Sequence, residues 1–394
     1  MSLSDRATRL LRSPVLRRGR SLARRVLLRV HPRRLTARLH RWSRRFSAQS
    51  DRVRFPIAPT WELRDDRHDA RSAAATGRPT QYAGTGARYA TASGMTWTRP
   101  DVVSVVYVLT SSIVTYRIRS TASGRTAEPI ATIAGSPEFG DFTGITTAMA
   151  SGLVGVTSAS GGRLGVMRTD ADGAPILASL ATIHVPGDGQ VHGVAFAPDG
   201  RHLVFTTIDV GGGLRVVRIA DASDGGLELE LTAVIENADA PIRPKGVRFS
   251  ADGRHLLIAY GDNASTIPRR GGHGFVAVHE WDPASGTIGR RIDRSSARSG
   301  IECGEDLTLI ADDTAVIVTD QFKDAVHIMR LDRVTGRLGE AQQVVSWSAG
   351  GLTMPHGCAT SPDGSTVAVT NYGDGTVRFF AVADLLRATP TPAT

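Results

Sequence analysis

The feature that most constrains this chain is a hairpin that recurs about every fifty residues. Three copies are plain. They run from His192 through Val194-Ala195-Phe196 to Pro198-Asp199-Gly200, from Lys245 through Val247-Arg248-Phe249 to Ala251-Asp252-Gly253, and from His356 through Cys358-Ala359-Thr360 to Pro362-Asp363-Gly364. Each is a short alternating strand closed by an Asp-Gly turn. Each is followed by a second apolar run: Leu203 to Thr207, Leu256 to Tyr260, and Val367 to Asn371. An Asp-Gly turn between two such runs marks a β-hairpin.

Weaker copies cover Asp306 to Thr319, Gly144 to Thr157 and Gly94 to Tyr107. The equivalent starting positions are then Gly94, Gly144, Gly193, Gly246, Asp306 and Gly357, at spacings of 49 to 60 residues. Third strands follow at Leu214 to Ile219, Val276 to Trp281, Val326 to Leu331 and Val377 to Val382. A fourth follows at Leu227 to Ile235. Four antiparallel strands per repeat of this length make a propeller blade. One blade cannot bury both of its faces, so the blades pack side by side and the ring closes. The spacing predicts an all-β propeller of six four-stranded blades, or seven if residues 47–93 hold a degenerate one. The last unit lacks an outer strand, which residues before Gly94, such as Val53 to Ile57, can supply as a latch.

Charge divides the chain. Residues 1–54 hold 17 Arg and no Lys, with Asp5 and Asp51 as the only acids. That segment is +15 in a chain of +9, so the remainder carries −6. Residues 1–46 read as a basic tail, amphipathic or disordered. Leu35, Leu39, Trp42 and Phe46 fall on one helical face, but Pro14 and Pro32 interrupt any continuous helix. Such a tail suits an anionic membrane surface. It equally suits nucleic-acid phosphates, without reading sequence. Residues 47–90 read as a linker that can supply the ring-closing strand, 91–386 as the propeller and 387–394 as a disordered end. No apolar run is long enough for a signal peptide or a membrane span. Cys303 and Cys358 form no zinc or disulfide pattern. The expected location is cytoplasmic, or peripheral to a membrane.

Pro355-His356-Gly357, the Ser361-Pro362-Asp363-Gly364 turn, and Val369-Thr370-Asn371-Tyr372-Gly373-Asp374-Gly375-Thr376-Val377 carry a resemblance. They are similar to the YVTN-type repeat of the lactonase-like propeller superfamily. That superfamily includes 6-phosphogluconolactonase-type enzymes and many binding proteins. The resemblance spans roughly residues 90–386 and implies the fold. It speaks less to function, because the repeat encodes hairpin turns. The superfamily is usually seven-bladed, whereas six units are found here. No catalytic set is carried over from it.

The repeat itself points to a site. The residue before each innermost strand faces the ring axis, and aligned units place Ser93, Thr143, His192, Lys245, Glu305 and His356 there. His192, Lys245, Glu305 and His356 thus converge as the candidate catalytic set. Loops on the same face contribute candidate ligand-binding residues Asp209, Tyr260, Asp262, Asp320, Lys323, Asn371 and Tyr372, with His273 nearby. Three uses remain open. His192, Glu305 and His356 can hold a divalent metal. Alternatively, His192 or His356 can act as general base on a lactone or ester, with Lys245 stabilising the oxyanion. Or the opening binds a small anionic ligand without chemistry. A scaffold that binds a protein partner, tethered by the tail, is the reading from a different class.

Overall fold

The computed structural model describes residues 57–65, 92–121, 124–136, 139–159, 161–185, 190–208, 212–240, 242–261, 274–296, 299–345 and 351–387. The basic tail, residues 1–46, lies outside the described residues. The described strands form six four-stranded antiparallel sheets, each a blade. The inner strands of blades 1 to 6 are Ala92–Arg99, Phe142–Ala148, Val191–Phe196, Arg243–Phe249, Gly304–Ile310 and Pro355–Thr360. The second strands are Val102–Tyr107, Leu153–Ser158, His202–Thr207, His255–Gly261, Ala315–Asp320 and Thr366–Asn371. Six it is, at the positions that the repeat predicts.

The core lies between blades. Leu153, Leu164 and Val166 of blade 2 pack on Val194, Phe205 and Val217 of blade 3. Ile317, Ile328 and Val345 of blade 5 pack on Cys358, Val369 and Phe380 of blade 6. The strands are buried on both faces, so their apolar runs are nearly continuous and the Asp-Gly turns carry the periodic signal. Both cysteines are buried and free. Among the described residues no helix is long and apolar enough to cross a membrane.

The ring closes by a latch. Trp61–Leu63 pairs with Val377–Phe379 as the outer strand of blade 6. The chain thus uses the segment before blade 1, with Trp61–Leu63 as the closing strand. Trp61 stacks on Phe379 with ring centroids 4.5 Å apart, and Leu63 enters the core shared with blade 1. Those apolar contacts set the register. Residues 53–56 lie outside the described residues, and Ile57 is buried without joining a strand. Beyond the last strand, Val382–Arg387 forms a short helix, α1, that the sequence reading did not anticipate. Its Val382 and Leu385 cover the blade 5–6 core.

One backbone device recurs at the axis. Every inner strand has a register shift at its mouth, between Ala92 and Gly94, Phe142 and Ile145, Val191 and Val194, Pro244 and Val247, Gly304 and Asp306, and Pro355 and Cys358. A bulge re-aims a side chain and leaves an amide unpaired. In four blades a buried threonine of the second strand takes that amide. Thr157, Thr206, Thr319 and Thr370 accept from Gly144, Gly193, Asp306 and Gly357 N–H at 2.7–3.0 Å. The same hydroxyls donate to carbonyls of the next blade, at His192, Lys245, His356 and Ser93. At two of these positions the next blade comes close enough to require glycine. A Cβ on Gly193 would stand 2.0 Å from the Lys245 carbonyl, and one on Gly144 would stand 2.3 Å from that of His192.

Candidate functional site

The bulges turn the residue before each glycine, or before Asp306 in blade 5, toward the axis, and four of these side chains meet. Glu305 is at the centre, 1% exposed. Its Oε1 accepts from His192 Nε2 at 2.9 Å and lies 3.2 Å from His356 Nε2. Lys245 Nζ lies 3.0 Å from Oε1 and 2.9 Å from Oε2. The Cys303 thiol adds a weak contact to Oε2 at 3.4 Å. The two imidazoles lie side by side, with centroids 5.2 Å apart, and Tyr372 stacks on His356 at the same spacing.

Electrostatics follow from this packing. Burial alone would raise the Glu305 pKa. The Lys245 ammonium outweighs it, with His356 and His192 adding to the effect, and holds the carboxyl well below its usual range. Burial lowers His356 to about 4, against the pull of Glu305. His356 is therefore neutral at pH 7. His192 Nε2 faces an ionised carboxylate, so it carries the proton. In His192 that leaves Nδ1 as the acceptor, and no described residue hydrogen-bonds it. Burial pushes the Cys303 thiol well up, so it is not a nucleophile.

Beneath this layer sits a second one that the sequence reading missed. Arg248 Nη1 donates to the carbonyls of Val194 and Val247 at 3.3 and 2.8 Å. Its Nη2 donates to the Asp306 carboxylate at 2.9 Å and the Cys358 carbonyl at 3.1 Å. One guanidinium thus ties blades 3, 4, 5 and 6. Burial raises the Asp306 pKa, while Arg248 and the Cys358 amide pull it down. Two signals were available. Five blades have glycine where Asp306 stands, and five have Thr or Ala where Arg248 stands. The pair narrows the bore to a cavity of about 20 Å³ bounded by Ser93, Thr143, His192, Arg248, Glu305 and His356. That is room for one water. A sugar-sized ligand must lie over the mouth, not within the bore.

The other candidates divide. Tyr372 joins the mouth through His356. Lys323 donates to the Gly300 carbonyl and lies 3.9 Å from Glu302. Tyr260 is a core residue, stacked on Phe275 at 4.3 Å. Asp320 is fully buried and accepts from the amides of Glu302 and Cys303, at 2.8 and 3.1 Å. Asn371 is fully buried as well, bonded to Thr353 N–H and the Thr376 hydroxyl. Asp320 and Asn371 brace the loops, and all three side chains are buried. Asp209, Asp262 and His273 lie outside the described residues.

Two expected uses change on this geometry. Lys245 is 2% exposed and engages both carboxylate oxygens, so it holds Glu305 ionised and does not meet a substrate oxyanion. An anionic ligand would find that ammonium already committed to Glu305. The ligand atoms of His192, Glu305 and His356 do lie within 4.8 Å of one another, as a metal site needs. A divalent ion there would sit beside the buried ammonium, with one carboxylate to offset three positive charges. The donor set fits a hydrogen-bonded cluster better than a metal centre.

No protein-family profile and no curated protein sequence matches the chain. Solved structures superpose on it over most of its length. A provisionally assigned 6-phosphogluconolactonase of Bacteroides fragilis superposes with a TM-score of 0.53 at 18% identity, covering 75% of this chain and 81% of that one. A Lactobacillus plantarum protein gives 0.51 at 15% identity, covering 76% and 83%. The periplasmic gluconolactonase of Pseudomonas aeruginosa gives 0.44 at 18% identity, covering 74% and 88%. Identity this low speaks to the fold alone. The chain shares a β-propeller fold with these structures, here with six blades.

Proposed function

We propose that the axial mouth binds a small cyclic ester, a lactone, and hydrolyses it with His192 as general base. The observation that carries this reading is the carboxylate–imidazole pair. Glu305 accepts from His192 Nε2 at 2.9 Å, deep in a buried site. A carboxylate on one ring nitrogen fixes the tautomer and supports charge on the imidazole when the other nitrogen takes a proton. The cavity beside it has room for the attacking water.

The step balances as follows. His192 Nδ1 takes a proton from water as the water oxygen bonds the lactone carbonyl carbon. The tetrahedral adduct collapses, the ring C–O bond breaks, and the leaving alkoxide takes the proton back from His192. The product is an open hydroxy acid, which releases its own proton to solvent. Lys245 and Glu305 are positioning residues in this scheme, and His356 with Tyr372 forms one wall.

The test is lactone turnover followed by acid release in a weakly buffered indicator assay. General-base catalysis contributes about 10²–10⁴-fold. His192→Ala is expected to lose that much in kcat while the fold persists by circular dichroism. Unchanged kcat in a folded His192→Ala protein would remove the proposal.

A further inference from the structure

Resting on the hydrolase reading above, we infer that the site takes uncharged lactones in preference to phosphorylated or carboxylated ones. Selecting an anion requires a cation with charge to spare. Next to this site three described cations, Lys245, Arg248 and Lys323, are each matched to a carboxylate. Lys245 meets Glu305 at 2.9 Å, Arg248 meets Asp306 at 2.9 Å, and Lys323 faces Glu302 at 3.9 Å. Lys245 and Glu305 are almost wholly buried, and the Arg248 side chain is 18% exposed. An incoming phosphate would have to break a buried pair, which leaves an uncompensated charge behind.

The donors point the same way. All four Nη hydrogens of Arg248 have protein acceptors. The mouth instead offers aromatic rings. His192, His356 and Tyr372 form a row of rings at 5.2 Å spacings. A neutral ring-shaped ligand can lie on that row without disturbing any ion pair.

The experiment compares D-glucono-δ-lactone with its 6-phosphate on the full chain. The uncharged lactone is expected to have a kcat/KM at least about fivefold higher, because one unpaired charge is worth roughly that factor even in water. Its KM should move less than about twofold between roughly 0.05 and 0.5 M NaCl. A preference for the phosphate that weakens with salt would overturn the inference. Glu302→Gln releases Lys323 without touching the proposed base. It should raise kcat/KM for the phosphate severalfold and leave the uncharged lactone within about twofold. No change for the phosphate in that variant also counts against the inference.

Hydrolysis of neither lactone would sink the hydrolase reading, and charge preference is then read from binding. The corresponding lactam and its 6-phosphate, which do not turn over, serve as calorimetric probes. Tighter binding of the uncharged lactam upholds the inference. Tighter binding of the phosphate, or binding of neither, overturns it.

Discussion

Blades 3 to 6 and blades 1 and 2 meet the same axis with different chemistry. On the first side Glu305 and Asp306 of blade 5 gather Lys245, Arg248, His192 and His356 from three neighbouring blades. On the second side only hydroxyls face inward. Ser93 donates to the Thr143 carbonyl, and Thr143 donates to the Thr157 carbonyl at 3.0 Å. The backbone is alike on both sides, bulge for bulge. The difference shows that the bulged inner strand is a presentation device, and that the residue it presents decides whether a blade contributes chemistry or closure. Even the threonine bridge yields to this. Blade 4 has Ala259 where four blades have threonine, and there the Lys245–Glu305 pair joins blades 4 and 5.

The contrast is broken most severely at Glu305. Glu305→Gln leaves the Lys245 ammonium buried without a counter-charge, a loss of about 3–5 kcal/mol. Urea unfolding should show it as a lower midpoint at unchanged slope. A loss below about 1 kcal/mol would mean that the charged side is no more important to the fold than the hydroxyl side.

Acid should separate the two sides next. His356 titrates at about 4 in the folded chain against an ordinary 6.5, so the unfolded chain binds more protons between those values. Stability therefore falls as pH falls through that window, by on the order of 3 kcal/mol at its end. Glu305, held low, adds a further loss below the usual carboxylate range as it too is protonated. His356→Gln should flatten the dependence between about pH 6.5 and 4, measured by denaturant titration at several pH values. An unflattened curve would place the acid sensitivity elsewhere.

The smallest effect belongs to the neutral side. Ser93→Ala removes one hydroxyl-to-carbonyl bond between blades 1 and 2, worth about 1 kcal/mol. Turnover should stay within about twofold, since the Ser93 hydroxyl bonds the Thr143 carbonyl and only the Ser93 backbone, which the substitution keeps, meets His356. A large loss of activity in this variant would show that the hydroxyl side takes part in the chemistry.

Much of the site was legible because the repeat is. Counting from each Asp-Gly turn places His192, Lys245, Glu305 and His356 at one step of the ring, and all four meet there. Tyr372 was legible for the same reason. Tyr260, Asp320 and Asn371 were misplaced because a loop position does not say whether a side chain points over the mouth or back between the blades. Tyr260 finds Phe275, Asp320 finds two amides, and Asn371 finds the loop that it braces. Arg248 and Asp306 left a signal, as charged residues where the other five repeats are small, but reading it required the strand register.

The amino-acid order alone determined the six repeats, the hairpins and the step of each repeat that faces the axis. Those follow from local turn chemistry and from the alternation of apolar residues, which act over a few residues of chain. Tertiary structure decided that Lys245 is spent on Glu305, that Arg248 closes the bore, and that His192 keeps one nitrogen open. Charge pairing and protonation depend on distances of about 3 Å between blades some fifty residues apart, and those distances exist only once the ring has closed.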